Sequence, residues 1–262
     1  MKLDILKQAN DKVVLHVEET TPHYMNTIRR LIMNSVPVLA VEEVEFRENS
    51  SILYDEVVAH RMGMTPLKTD LESYELADGE PDENNQVKGT LVKEADPENE
   101  EPVTVYADDM EFEDDAVEPV NPKTPLIRLQ PGQAIECEFT ALMGVGSEHG
   151  KWSPCLAWFK YYPHITISEQ PDNPADIAEQ YNPVFTLEDG KLSVDEDAAL
   201  RHDVIDEGIN DQTDGAVTYE EHDDFVMFIE SWGQVGIDDL IEHAIQVHND
   251  QLAMFQDMAN DL

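Results

Sequence analysis

The 262-residue chain carries 57 acidic side chains against 16 basic ones, giving a formal charge of −41 and a sequence pI near 4.2. Neutralising phosphates takes clustered Lys and Arg, so this balance excludes autonomous gripping of DNA or RNA and disfavours attachment to an anionic membrane. At 41% hydrophobic residues the chain can fold, as one large domain or two to three small ones.

The first segment reads as a hairpin, with β-prone runs at residues 3–6 and 13–17 around the turn formers Asn10-Asp11. A helix follows: Thr21 can cap it, Pro22 fits its first position, and Met25, Ile28, Leu31, Ile32 and Val36 recur at helical spacing until Pro37. That stripe leaves Asn26, Arg29 and Arg30 at its rim or on the open face. Residues 38–46 predict a strand whose later part alternates apolar and acidic residues, with one break in the pattern.

The middle is loop-rich. Residues 70–119 are strongly acidic and interrupted by Pro81, Pro97, Pro102 and Pro119, yet 87–92 and 103–107 read as strands. Strand propensity returns over 127–142, 156–162 and 164–167, around the glycine-rich turn 144–150. Residues 169–221 shift to a Pro-, Asp- and Asn-rich composition with weak patterns, a candidate subdomain. A strand at 225–230, a turn at 233–236 and a long helix from Ile237 to about Ala259 close the chain. The helix carries a broad apolar face of Ile237, Leu240, Ile241, Ala244, Ile245, Leu252, Phe255 and Met258, with Asp238 and Asp239 at its positive end. The most regular elements thus come from both chain ends, which predicts one domain closed by the two termini with the middle inserted into it.

The charge excess is not a terminal tail. Residues 1–66 are nearly balanced, and the remainder carries almost all of it within segments that also show strand and helix patterns. Such a surface suits very high salt, where repulsion is screened within ~3 Å at 1 M, and predicts a halophilic origin. The absence of a signal-peptide pattern after Met1-Lys2-Leu3-Asp4, and of any apolar run near ~20 residues, predicts a cytoplasmic protein.

Independent chemistry finds little support in the motifs. Gly150-Lys151 suggests a phosphate loop, but the spacing needs Gly at Val145 and Ser or Thr at Trp152, so a strand-to-strand turn is the better reading. His222 sits in Glu220-Glu221-His222-Asp223-Asp224 without a second His at zinc-helix spacing, and a solvated acidic loop is expected there. His243 and His248, five apart on a helix, point some 140° away from each other. There is no Gly-x-Ser-x-Gly elbow, and Cys155 follows Pro154 in an apolar run, as buried inert thiols do. Cys137 and Cys155 alone can form neither a disulfide framework nor a four-ligand metal site.

Specific residues say more. The run Met25-Asn26-Thr27-Ile28-Arg29-Arg30-Leu31-Ile32-Met33, then Val36-Pro37, then Glu48-Asn49-Ser50-Ser51, then Asp55 through Ala59-His60-Arg61-Met62-Gly63-Met64-Thr65-Pro66-Leu67, resembles the D-type subunits of archaeal DNA-directed RNA polymerase. That family corresponds to the bacterial alpha N-terminal domain and to the third subunit of eukaryotic polymerase II. His149-Gly150-Lys151-Trp152-Ser153-Pro154 resembles its His-x-Lys-Trp-x-Pro segment, and Phe228-Ile229-Glu230-Ser231-Trp232-Gly233 with the last helix resembles its closing strand and helix.

The resemblance implies an α+β fold. An alpha-subunit-like dimerisation domain is expected from residues 1–46 and 222–262, a β-rich insert at 47–168, and a ferredoxin-like remnant at 169–221. It implies an assembly subunit without catalytic residues, which pairs with the RNA polymerase L subunit and docks the second-largest subunit and the small N and P subunits. Asn26, Arg29, Arg30, His60 and Arg61 match family positions near the large-subunit contacts, and Leu240, Ile241, Ala244, Leu252 and Phe255 are expected in the interface. Many members hold an iron–sulfur cluster in the ferredoxin-like part. Here 182–194 resembles the hairpin after the first cysteine group and 216–219 the strand after the second, yet 169–221 contains no cysteine. Cluster iron needs thiolates, so no cofactor is expected. The alternative is a free-standing acidic homodimer or metal-binding protein.

Overall fold

A computed structural model of the chain describes residues 1–76 and 85–260; the expected interruption at Pro81 lies outside them. In chain order the elements begin with β1 (Lys2–Gln8), β2 (Lys12–Glu18), α1 (Pro22–Asn34), β3 (Val38–Asn49) and α2 (Asp55–Gly63). Then come β4 (Gln86–Glu94), β5 (Val103–Tyr106), β6 (Met110–Phe112), β7 (Pro125–Leu129), β8 (Ala134–Gly144) and β9 (Cys155–Ile167). The last are α3 (Pro174–Gln180), β10 (Phe185–Glu188), β11 (Lys191–Val194), α4 (Glu196–Arg201), α5 (Gly208–Gln212), β12 (Val217–Ser231) and α6 (Ile237–Asn260). The fold is mixed α+β, and packing divides it into two compact units.

The larger unit comprises residues 9–13, 26–157 and 229–262. Its sheet runs β3-β8-β4-β6 with antiparallel pairing, beside the two-stranded β5-β7. The alternation of β8 buries Ile135, Cys137, Phe139, Ala141 and Met143 on one face, against Leu91, Val105, Leu126 and Met62. Along β3 the register with β8 shifts between Val41 and Glu43, at the two successive glutamates that break its alternation. A bulge absorbs the extra residue and keeps Val44 and Phe46 packed on the core. The stretch 127–142, expected as one strand region, is two strands, β7 and β8. They are separated at Pro131-Gly132, where Gly132 takes φ 76° and Gln133 donates to the Gln130 carbonyl at 2.9 Å.

The other unit comprises residues 1–8, 14–25 and 158–228. It holds most of the sheet ordered β1-β2-β12-β9 and the hairpin β10-β11. Two expectations are corrected here. The runs 156–162 and 164–167 are one strand, because β9 lies at the sheet edge, where Pro163 removes no ladder hydrogen bond that the sheet needs. The expected acidic loop at 220–224 is strand, continuous in β12 from Val217 to Ser231. His222 stays exposed, but Asp224 is 7% exposed and takes hydrogen bonds from two histidines. The weakly patterned 169–221 region has its own core of Ile177, Tyr181, Phe185, Leu192, Ile209 and Val217.

Candidate subunit interface

The family-like segments are first of all structural. His149-Gly150-Lys151-Trp152-Ser153-Pro154 packs the connection between β8 and β9 onto the end of α1. Ser153 Oγ donates to the Met33 carbonyl at 3.0 Å and the Ser147 amide to the Asn34 carbonyl at 3.1 Å, satisfying carbonyls that a helix end leaves without partners. Trp152 Nε1 donates to the Leu142 carbonyl at 3.1 Å. Glycine is required nearby: a Cβ on Gly144 would lie 2.4 Å from the Trp152 ring, and one on Gly146 2.4 Å from the Met33 carbonyl. Lys151, the residue that suggested a phosphate loop, donates to the Val41 carbonyl at the β3 bulge at 2.9 Å, pairs with Glu42 and lies 4.4 Å from the Trp152 ring centroid. It is a strut between turn and sheet, as the strand-to-strand reading requires.

This buttress fixes α1, whose Leu31 and Ile32 are buried. Arg29 reaches one turn back, its Nη2 donating to Asn26 Oδ1 at 3.0 Å and its Nε at 3.3 Å, the i,i+3 spacing at which helix side chains meet. Asn26 and Arg30 are exposed and Arg29 is half-buried. The three expected docking residues therefore share one short stretch of helix, with the Arg29 fork held by Asn26.

His60 and Arg61 lie on α2, a helix that apolar periodicity did not reveal. Its signal is electrostatic: Asp55 and Glu56 occupy the first turn and His60 and Arg61 the last, each matched to the local end of the helix dipole. Val58 and Met62 anchor it, and Gly63 comes so close to β3 that a Cβ would lie 3.2 Å from the Val41 carbonyl. His60 and Arg61 are both exposed, and Arg61 Nη1 also donates to the Leu126 carbonyl at 2.6 Å, tying α2 to β7. The preceding loop is ordered by Asn49, which donates to Asp55 Oδ1 at 2.8 Å and accepts from Ser51 Oγ at 2.6 Å. This loop presents Ile52 and Tyr54, 84% and 76% exposed, two contact candidates the sequence reading missed. Their only signal was large apolar residues inside a polar turn.

On α6 the expected interface residues separate. Leu240 and Ala244 are buried in this chain's own core and offer no surface, because the first turns pack back on the unit. Ile241 is half-buried, while Leu252 and Phe255 stand open. From residue 249 to 260 every position is exposed. Ile241, Ile245, His248, Leu252, Phe255 and Ala259 recur at alternating spacings of four and three, the seam that packs another helix. Met254 and Met258 flank it, both about two-thirds exposed, and Met254 was also missed by the sequence reading. The free part beyond Ala244 is ~24 Å long. Helices of this length are marginal alone, so the seam calls for a partner.

An iron–sulfur cluster does not fit the donors present. Residues 169–221 hold no thiol, and both cysteines belong to the larger unit. Burial pushes the Cys137 thiol up to about 11 and the Cys155 thiol up to about 12, far from thiolate character. Among the described residues no group of three or more His, Cys, Asp or Glu is arranged to hold a metal ion, and no helix is long and apolar enough to cross a membrane.

Comparison with known proteins agrees with the resemblance. Residues 44–154 match the family model of the RNA polymerase Rpb3/RpoA insert domain. The chain is 34% identical over 260 residues to DNA-directed RNA polymerase subunit Rpo3 of Methanopyrus kandleri, covering 93% of this chain and 92% of that one. It is 33% identical over 261 residues to the protein of that name from Methanothermobacter thermautotrophicus, covering 96% of each. The Pyrococcus horikoshii protein of that name is 38% identical over 170 residues, a match covering 65% of this chain and 63% of that one.

Proposed function

Because the chain belongs to the Rpo3 family of DNA-directed RNA polymerase subunits, we propose that it is a non-catalytic assembly subunit that heterodimerises with the L subunit. The observation that carries the pairing is the exposed seam of α6, with Leu252 and Phe255 more than half exposed at helix-pairing spacing. Such a face is stable in water chiefly when a complementary helix covers it. Asn26, Arg29 and Arg30 on α1, with His60, Ile52 and Tyr54 around α2, form the surface offered to the second-largest subunit and to the small N and P subunits. Arg61 acts by holding α2 in place.

In this reading residues 1–46 and 222–262 serve dimerisation, 47–168 are the insert, and 169–221 are a ferredoxin-like remnant. The family-model match at 44–154 supports the second of these. The absence of thiols supports a cluster-free remnant stabilised by its apolar core, in a cytoplasmic and halophilic setting.

Co-expression with an archaeal L subunit in molar salt tests the pairing: a 1:1 complex is expected, and a chain that stays a homodimer overturns it. Arg29→Ala with Arg30→Ala is expected to weaken recruitment of the second-largest subunit by the heterodimer. Unchanged recruitment removes those residues from the docking surface.

A further inference from the structure

The smaller unit contains a buried carboxylate between two histidines, an arrangement with no place among the proposed partner contacts. Asp224 lies on β12, between β2 and β9 in the sheet. From β2, His16 Nε2 lies 2.8 Å from Asp224 Oδ2; from β9, His164 Nε2 lies 2.9 Å from Oδ2 and 3.0 Å from Oδ1. One carboxylate on the central strand thus receives an imidazole from each neighbouring strand. Buried carboxylates are costly unless hydrogen-bonded donors surround them, and here both donors come from other strands.

The groups around it are also defined. The Tyr162 ring of β9 lies tilted against both imidazoles, its centroid 4.3 Å from that of His16 and 5.1 Å from that of His164. The His222 ring lies 4.5 Å from that of His164, and Glu220 lies 3.5 Å from His222 Nε2. From α4, the charge of Glu196 bears on Tyr162. No second carboxylate is hydrogen-bonded to either imidazole of the pair among the described residues, so Asp224 is their shared acceptor.

We propose that His16, Asp224 and His164 form a proton-operated clamp that fastens β2, β12 and β9 together and releases when Asp224 takes up a proton. In chain order β2 precedes α1 and β12 precedes α6.

The direction follows from the balance at Asp224. Burial acts to raise its pKa, but hydrogen bonds from His164 and His16, with their charge, outweigh it and hold the carboxyl below its ordinary value. A folded-state value below the unfolded ~3.9 gives stability that is present above ~3.9 and is lost as pH falls through the folded value. Without the imidazoles, burial alone remains and the sign reverses.

The test is a carbon-13 NMR titration of the Asp224 carboxyl in the full chain in molar salt, with His16→Leu plus His164→Leu, which removes both donors, as the variant. Wild type is expected to titrate below ~3.9 and the double variant above it. A wild-type value at or above ~3.9, or a double variant with the wild-type value, overturns the clamp. Should the double variant not fold, urea unfolding of Asp224→Asn between pH 3 and 5 decides. Its midpoint is expected to depend on pH more shallowly than that of wild type, by a fraction of a proton; parallel curves overturn the proposal.

Discussion

Truncation of Phe255 separates surface offered to a partner from surface used by the chain itself. The ring is 72% exposed. A phenylalanine has roughly 200 Å² to bury, so full cover by a partner removes roughly 140 Å² from water, worth about 3.5 kcal/mol at about 25 cal/mol per Å². Part of this is offset by ordering costs and by the methyl that alanine keeps, leaving an expected loss of about 2 kcal/mol, or about 30-fold in Kd. Leu252→Ala, from a side chain already half covered, should cost about tenfold. The two lie three residues apart on one seam, so their effects should couple rather than add. In the isolated chain both variants should unfold within about 0.5 kcal/mol of wild type, because both side chains are more than half exposed. Leu240→Ala is the converse: a side chain with 0% exposure should cost about 2–5 kcal/mol of stability. Isothermal titration with the L subunit in molar salt, paired with thermal unfolding of each variant, reads both quantities. An unchanged Kd for Phe255→Ala, or a melting point for that variant lowered as far as that of Leu240→Ala, would refute the assignment of this face.

Other outcomes follow from the same contacts. Gly144→Ala sets a methyl 2.4 Å from the Trp152 ring, and should destabilise the chain by about 1–3 kcal/mol in urea unfolding. It should also weaken docking through α1, since Trp152 sits in the turn that buttresses that helix; Gly150→Ala, which meets nothing within 4 Å, is the matched control. Lowering salt from molar to millimolar should destabilise the chain. Lys2, Lys7, Lys12, Arg47, Lys68, Lys93, Lys151 and Lys160 are already paired with carboxylates, leaving a large acidic excess unneutralised while the screening length grows from ~3 Å at 1 M to ~30 Å at 0.01 M. An unfolding midpoint independent of salt would remove the halophilic reading and leave the family intact. Iron analysis of the purified chain should find no stoichiometric iron, and a visible cluster absorption band would overturn the cluster-free remnant.

The elements that were legible are those whose periodicity is local and whose ends are marked. Thr21-Pro22 and Pro37 bracket α1, and Ile237 opens the long apolar stripe of α6. Even the bulge in β3 was written as two successive glutamates. The elements that were not legible depend on distant residues. Helix α2 is short and weakly amphipathic, and it is held by Met62 in the core and by Arg61 on the Leu126 carbonyl. The middle of β12 reads as a charged loop because the reasons for its strand, His16 and His164, are 208 and 60 residues away in sequence.

The sequence by itself determined the family, the mixed α+β class, the amphipathic terminal helices and the acidic surface. Each of these is carried by residue identity, spacing or composition. Only the tertiary structure decided which apolar residues of α6 are spent inside the chain, Leu240 and Ala244, and which remain open, Leu252 and Phe255. A helical stripe states that a face must be covered; it does not state by what. Tertiary packing also gave Lys151, in a turn whose phosphate-loop reading the spacing had already ruled out, its role as a strut, and turned Asp224 from a solvated acid into the shared acceptor of two histidines on neighbouring strands. The meaning of a charge depends on its burial and its neighbours, and neither is a property of the local sequence.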